Sequence, residues 1–207
     1  HDMIKDTIAA HKRIIFNGNG YSDEWVVEAE RRGLPNIKCM VDAVPALVKP
    51  EAVEIFEKHG VYTKAEMESR AEVMYETYSK TINIEALTMI DMAKKQIVPA
   101  TIKYQTSLAE SVNAIKAASS AVDTSVQEAL MADISTNLKD MYAALAHLEE
   151  VAGKAEAMEE GAEQGHYYHD VVFTAMDELR KPADKLEMLV AKSAWPFPSY
   201  GDLIFEV

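Results

Sequence analysis

The stretch "VDTSVQEALMADISTNLKDMYAALAHLEEVAGKAEAM", residues 122–158, decides the fold class. Val122, Val126, Leu130, Ile134, Leu138, Met141, Leu145, Leu148, Val151, Ala155 and Met158 recur at steps of three or four. That spacing puts them on one face of a single helix for about five heptads, and a face that long needs partner helices. No glycine or proline interrupts it before Gly153. The expectation is an antiparallel or coiled-coil-like seam.

Toward the C-terminus, "EEGAEQG" (159–165) reads as a turn. Val172, Met176, Leu179, Ala183, Leu186 and Val190 then repeat the helical spacing, with Pro182 inside the helix and expected to bend it. The end, "WPFPSYGDLIFEV" (195–207), holds two prolines among Trp195, Phe197, Tyr200, Leu203, Ile204 and Phe205. These side chains are too apolar to sit together in water. The prolines forbid a continued helix, so an extended strap packed back on the bundle or on a partner chain is expected.

Toward the N-terminus, "SSAVDTS" (119–125) marks another turn. Upstream of it, Met67, Ala71, Met74 and Tyr78 follow helical spacing, continued by Ile90, Ala93, Ile97, Tyr104, Leu108, Val112 and Ile115. A helix over 63–118 would extend roughly 80 Å, and Pro99 should kink or break it near Ile97–Val98. Its start is well marked, because Thr63 with Glu66 three residues on forms a capping box and Gly60 ends the helix before it. Two short helices are expected near 40–48 and 50–59, the second opened by Pro50. Further upstream, residues 3–16 read as a helix carrying Ile4, Ile8 and Ile15, stopped in left-handed conformation by Asn17-Gly18. A second helix is expected from an N-cap at Ser22 to about Arg32, ended by Gly33.

The predicted class is all-α: short helices, then a bundle of three long antiparallel helices, then an extended aromatic C-terminal strap. The expected division is 1–62 as a short-helix segment, 63–194 as the long-helix bundle and 195–207 as the strap.

Charge and composition narrow the function. Hydrophobic residues make up 48% of the 207, enough for a real core, while 34 Asp and Glu against 21 Lys and Arg give a formal net charge of −13. Such a surface repels phosphate backbones, which argues against nucleic acid. No run of about 18 apolar residues is present, so no membrane span is expected, and the N-terminus lacks a signal-peptide core. The single cysteine, Cys39, has no partner for an internal disulfide, which suits a cytoplasmic setting. The chain begins with His1 instead of Met, as expected of an excised piece or of added leading residues.

Candidate chemistry is sparse. "IIFNGNGYSDEW" (14–25) holds two Asn-Gly pairs, but it lacks the third glycine of a dinucleotide loop, follows a helix instead of a strand, and has no phosphate-binding lysine. Its expected job is to stop one helix and start another, with Tyr21 and Trp25 as packing anchors. Glu163 and His166 form a Glu-x-x-His pair, with His169 nearby, but a di-iron bundle needs a second copy and two more glutamates. They read instead as a polar helix start, with Asp170 favouring the dipole. Cys39 has no adjacent base that would activate it. His147 and His59 read as a solvated face and a helix end. The charge runs Glu28, Glu30, Arg31, Arg32 and Glu66, Glu68, Arg70, Glu72 read as surface. Met67, Met74, Met89 and Met92 read as core filler. No residue is assigned a catalytic, cofactor-binding or metal-binding role.

Three stretches carry a family resemblance. "HKRIIFNGNGYSDEWVVEAERRGLPN" (11–36) is the most distinctive, "FEKHGVYTKAEMESRAEVMYETYSKTINIEALTMIDMAKKQIVPA" (56–100) is the second, and "LRKPADKLEMLVAKSAWPFPSYGDLIFEV" (179–207) the third. Together they resemble the C-terminal part of type III glutamine synthetase, the long bacterial form, and "VDAVPALVKPEAVEIFEKHGVYTKAEM" (41–67) resembles the helical element that closes the family's catalytic domain. The resemblance implies ATP-dependent ligation of ammonia to glutamate, with Mg or Mn, in a full-length oligomeric enzyme. It also implies that the catalytic strands and metal-holding residues lie outside this chain, which would be a structural, subunit-contacting region, inactive alone. The alternative is an independent helical coiled-coil interaction or scaffold module. The short helices of the N-terminal third argue against that alternative, since a free-standing module has little use for them.

Overall fold

The computed structural model describes residues 1–205; the final two residues of the expected strap lie outside the described part. All regular elements among the described residues are helical. They are α1 (Asp2–Ala10), α2 (Asp23–Arg31), α3 (Met40–Ala43), α4 (Pro50–Lys58), α5 (Lys64–Met92), α6 (Val98–Ala118), α7 (Ser125–Glu156), α8 (Ala162–Tyr167), α9 (Phe173–Leu189) and α10 (Tyr200–Phe205).

Three long rods form the bundle. The first is α5 and α6, joined without a break by a π-turn over Ala93–Ile97. Pro99 causes no break, because a proline ring clashes with the carbonyl four residues back and the wider turn, closed by Val98 N–H to Ala93 O, gives that carbonyl room. The second rod is α7. The third runs from α8 through a second π-turn, Tyr168–Val172, into α9, with Pro182 buried inside it.

Direction follows from cross-links between the rods. Lys94 pairs with Glu149, Gln105 Nε2 donates to Met131 O at 3.3 Å, and Lys116 pairs with Glu128. Numbers rising on the first rod fall on the second, so the two are antiparallel. At the α7–α8 hairpin, Gln164 Nε2 donates to Ala155 O at 3.0 Å, and the third rod returns alongside α7.

The core runs along this seam. Ile134, Met141, Leu145, Leu148, Val151 and Ala155 of α7 meet Val172, Met176, Leu179 and Leu186, with Ile82, Ala86 and Ile90 closing the third side. Each buried Val, Leu, Ile or Met among them contributes roughly 1.5–3 kcal/mol on transfer scales. The seam is shorter than its periodicity suggested: Val122 and Val126 are 50% and 76% exposed. Val122 belongs to the turn before α7, and Val126 to its first turn, where the third rod has already ended. Met74 is likewise exposed, and Tyr75 takes the inward place beside Ala71.

Three further expectations are corrected. First, α1 stops at Ala10 and only a short 3-10 turn, Lys12–Ile14, continues toward residue 16. Secondly, the turn expected over 159–165 ends sooner. Gly161, at φ 141°, makes the reversal and helix resumes at Ala162. Gly165 is buried in that helix; a Cβ on it would lie 3.1 Å from Tyr75 Cδ1 and 3.3 Å from Val41 Cγ1. It lets α8 approach α5 and α3 closely.

Thirdly, the strap is not extended throughout. Trp195 and Phe197 turn back onto the core and meet edge to face at 6.2 Å between centroids. The chain then forms α10. Ser199 N–H and Oγ donate to Asp202 Oδ2 at 2.8 and 2.7 Å, and Lys192 also binds that carboxylate. Lys192, then the Ser199 bonds, hold the Asp202 carboxyl down at about 2. Tyr200, Leu203, Ile204 and Phe205 stay exposed.

Candidate functional site

Residues 11–34 are organised around an aromatic pair and one arginine. Phe16 stacks on Trp25 with centroids 4.4 Å apart, and the Arg32 guanidinium lies 5.8 and 5.9 Å from the two rings. Arg32 Nη1 donates to Arg13 O at 3.0 Å and also to Ile15 O, while its Nε reaches Glu28. Arg31 and Arg32 hold the Glu28 carboxyl down at about 2. Arg32 is therefore half-buried and latches the end of one segment to the helix that follows it, a role that reading its charge run as surface missed.

In the loop between them, Tyr21 N–H donates to Asn19 Oδ1 at 3.0 Å and Ser22 N–H to Asn19 O at 3.3 Å, an Asn-centred turn. Gly18 is not left-handed; the described positive-φ residues are Gly33, Gly60 and Gly161. Glycine is needed because a Cβ there would lie 2.6 Å from Phe16 Cζ. Tyr21 points into solvent, fully exposed, while Trp25 does anchor the loop. Gly33 ends α2 in a Schellman motif, with Leu34 N–H on Ala29 O and Gly33 N–H on Glu30 O, both 2.9 Å.

This N-terminal arm stands apart from the bundle. Neither α1 nor α2 packs substantially on another helix among the described residues. No residue of α1 is buried, and Met3, Ile4 and Ile8 are 79%, 58% and 51% exposed. A shallow groove lined by Ile4, Ile8, Ala9 and Ile15 lies open.

The titratable residues singled out from sequence fall near each other without converging. Cys39 Sγ donates to Asp42 Oδ2 at 3.0 Å. That bond, aided by burial, pushes the thiol pKa up, the opposite of what a nucleophile needs. His166 Nδ1 lies 3.8 Å from Asp42 Oδ1, whereas His169 Nδ1 lies 2.7 Å from Asp170 Oδ1. Glu163 points to solvent. Among the described residues no three His, Cys, Asp or Glu side chains are grouped to hold a metal ion. His147 and His59 are exposed, and Met67, Met89 and Met92 fill the core or its edge. No described helix is long and apolar enough to cross a membrane.

Known proteins match along the whole chain. The family model described as glutamine synthetase C-terminal domain matches residues 1–116. A glutamine synthetase of Butyrivibrio fibrisolvens is 38% identical over 206 residues, covering 100% of this chain and 29% of that relative. A type-3 glutamine synthetase of Dictyostelium discoideum is 29% identical, and a glutamine synthetase of Bacteroides fragilis 30%; each alignment covers 98% of this chain and 28% of the relative. The chain thus spans less than a third of each relative's length. The family match takes in the Arg32 latch, α1 to α4 and all but the last two residues of the first rod, and on that ground the chain belongs to the glutamine synthetase C-terminal domain family.

Proposed function

We propose that this chain is the C-terminal helical region of a type III glutamine synthetase, a cytoplasmic homo-oligomer that ligates ammonia to glutamate at the expense of ATP with a divalent metal. Its own role is structural. Residues 1–62 brace the catalytic part that precedes them in the polypeptide, and the bundle and tail present surfaces to neighbouring subunits. No residue of this chain is given a catalytic or metal-binding role.

The observation that carries this reading is the N-terminal arm. Its latch is well ordered by specific bonds, yet α1 offers Met3, Ile4 and Ile8 to solvent and touches the bundle little. An ordered segment with an uncovered apolar face is built to be covered. The relatives are more than three times as long, which leaves ample further chain to cover it. An independent scaffold module would need no such arm. The test is a glutamine synthesis assay on the 207-residue chain alone, with glutamate, ammonia, ATP and Mg. No ATP-dependent turnover is expected from it, and measurable turnover would overturn the proposal.

A further inference from the structure

A polar cavity of about 230 Å³ lies where α5 passes the α7–α8 hairpin, far from the arm in sequence. Ser79 and Asn83 line it from α5. Ser79 is 3% exposed, and its Oγ and Asn83 Oδ1 are buried without a hydrogen-bond partner. Two orphaned oxygens beside one cavity are uncommon, since nearly all buried polar groups are paired.

The remaining walls are acidic on balance: Glu76, Glu156 and Glu160 against one ammonium, Lys80, which is paired with Glu76. Glu156 and Glu160 face the cavity, and among the described residues neither enters an ion pair; Lys80 and Lys154 are bound to Glu76 and Glu150 instead. The 32-residue α7 ends at Glu156, so the negative end of its dipole opens here. Gln164 has spent its amide N–H groups on Ala155 O and Met158 O, which leaves its carbonyl as the free end. Burial keeps the Tyr168 hydroxyl protonated.

We propose that this cavity is a binding site for a small organic cation with an ammonium head group. Such a head supplies the N–H donors that Ser79 and Asn83 lack, and its charge is balanced by Glu156, Glu160 and the helix end. A metal ion is a poor fit because the carboxylates are not grouped for coordination among the described residues. The volume is below the roughly 300–1,000 Å³ of drug-sized sites, which points to a ligand of only a few heavy atoms.

The test uses n-butylammonium chloride as probe and n-pentanol as its neutral counterpart, followed by amide chemical shifts of the 207-residue chain. Saturable shifts centred on Ser79, Asn83 and Gln164 with the cation, and none with the alcohol, are expected. The exposed double variant E156Q/E160Q should weaken the apparent affinity about ten-fold, the equivalent of two modest charge contacts. The remote double variant E178Q/E187Q makes the same change in net charge and should leave it unaltered. Shifts that never saturate, equal loss in both variants, or binding of a lysine-containing peptide but not of butylammonium would each overturn the proposal.

Discussion

At the scale of single residues, the arm depends on how closely Phe16, Trp25 and Arg32 approach. Gly18 is the tightest point, and Gly20, two residues on, has nothing within 4 Å of the place a Cβ would occupy. Gly18→Ala must displace the Phe16 ring, because 2.6 Å is far inside van der Waals contact. In a Trp195→Phe background, where Trp25 is the only tryptophan, Gly18→Ala should shift the fluorescence maximum to the red as the stack opens. Gly20→Ala should leave it in place. Equal spectra for the two variants would remove the latch from the account. The sequence marks Gly18 as a helix stop, but the reason it suggests is the wrong one. A left-handed stop and a close ring contact both call for glycine, and only coordinates separate backbone conformation from a side chain folded back across two residues. Arg32 was missed for a related reason: its carbonyl partners lie 17 and 19 residues away, and no local rule reaches so far.

At the scale of elements, local signals served well where they were purely local. The Thr63 capping box is present as expected, with Thr63 N–H on Glu66 Oε2 at 2.8 Å and Glu66 N–H on Thr63 Oγ1 at 3.3 Å. The same signal stands at Ser199 and Asp202, and it starts α10 where Pro196 and Pro198 by themselves suggest an extended chain. Periodicity located the seam but overran its first turns, since spacing shows which residues share a face and says nothing about where the partner helix ends. The seam's true extent is testable by paired truncations of side chains. Leu145→Ala, at a fully packed position, should destabilise by about 2–5 kcal/mol. Val126→Ala, at an exposed one, should stay within about 0.5 kcal/mol of the parent. Urea unfolding measures both, and a large loss at Val126 would show that the seam continues to the start of α7.

At the scale of the whole molecule, the tail divides into an inner part that completes the core and an outer part that does not. Ending the chain after Ala194 removes Trp195 and Phe197 from the bundle and should lower the melting temperature by several degrees. Ending it after Ser199 keeps both rings and removes exposed Tyr200, Leu203, Ile204 and Phe205 with the surface bonds of Asp202, so the melting temperature should fall far less. Equal melting of the two shortened chains would show that the aromatic pair contributes nothing to the core.

The arm and the bundle differ in the same sense. The bundle packs α5, α7 and α9 around a shared core. The arm holds its latch together but leaves Met3, Ile4 and Ile8 exposed. Hydrogen–deuterium exchange, compared between the 207-residue chain and the full-length enzyme, tests this division most directly. The account predicts that amides of α5, α7 and α9 are equally protected in both, whereas those of α1 and α2 exchange quickly in the isolated chain and become protected in the full-length protein. Equal protection of the arm in both, or loss of bundle protection in the isolated chain, would contradict it.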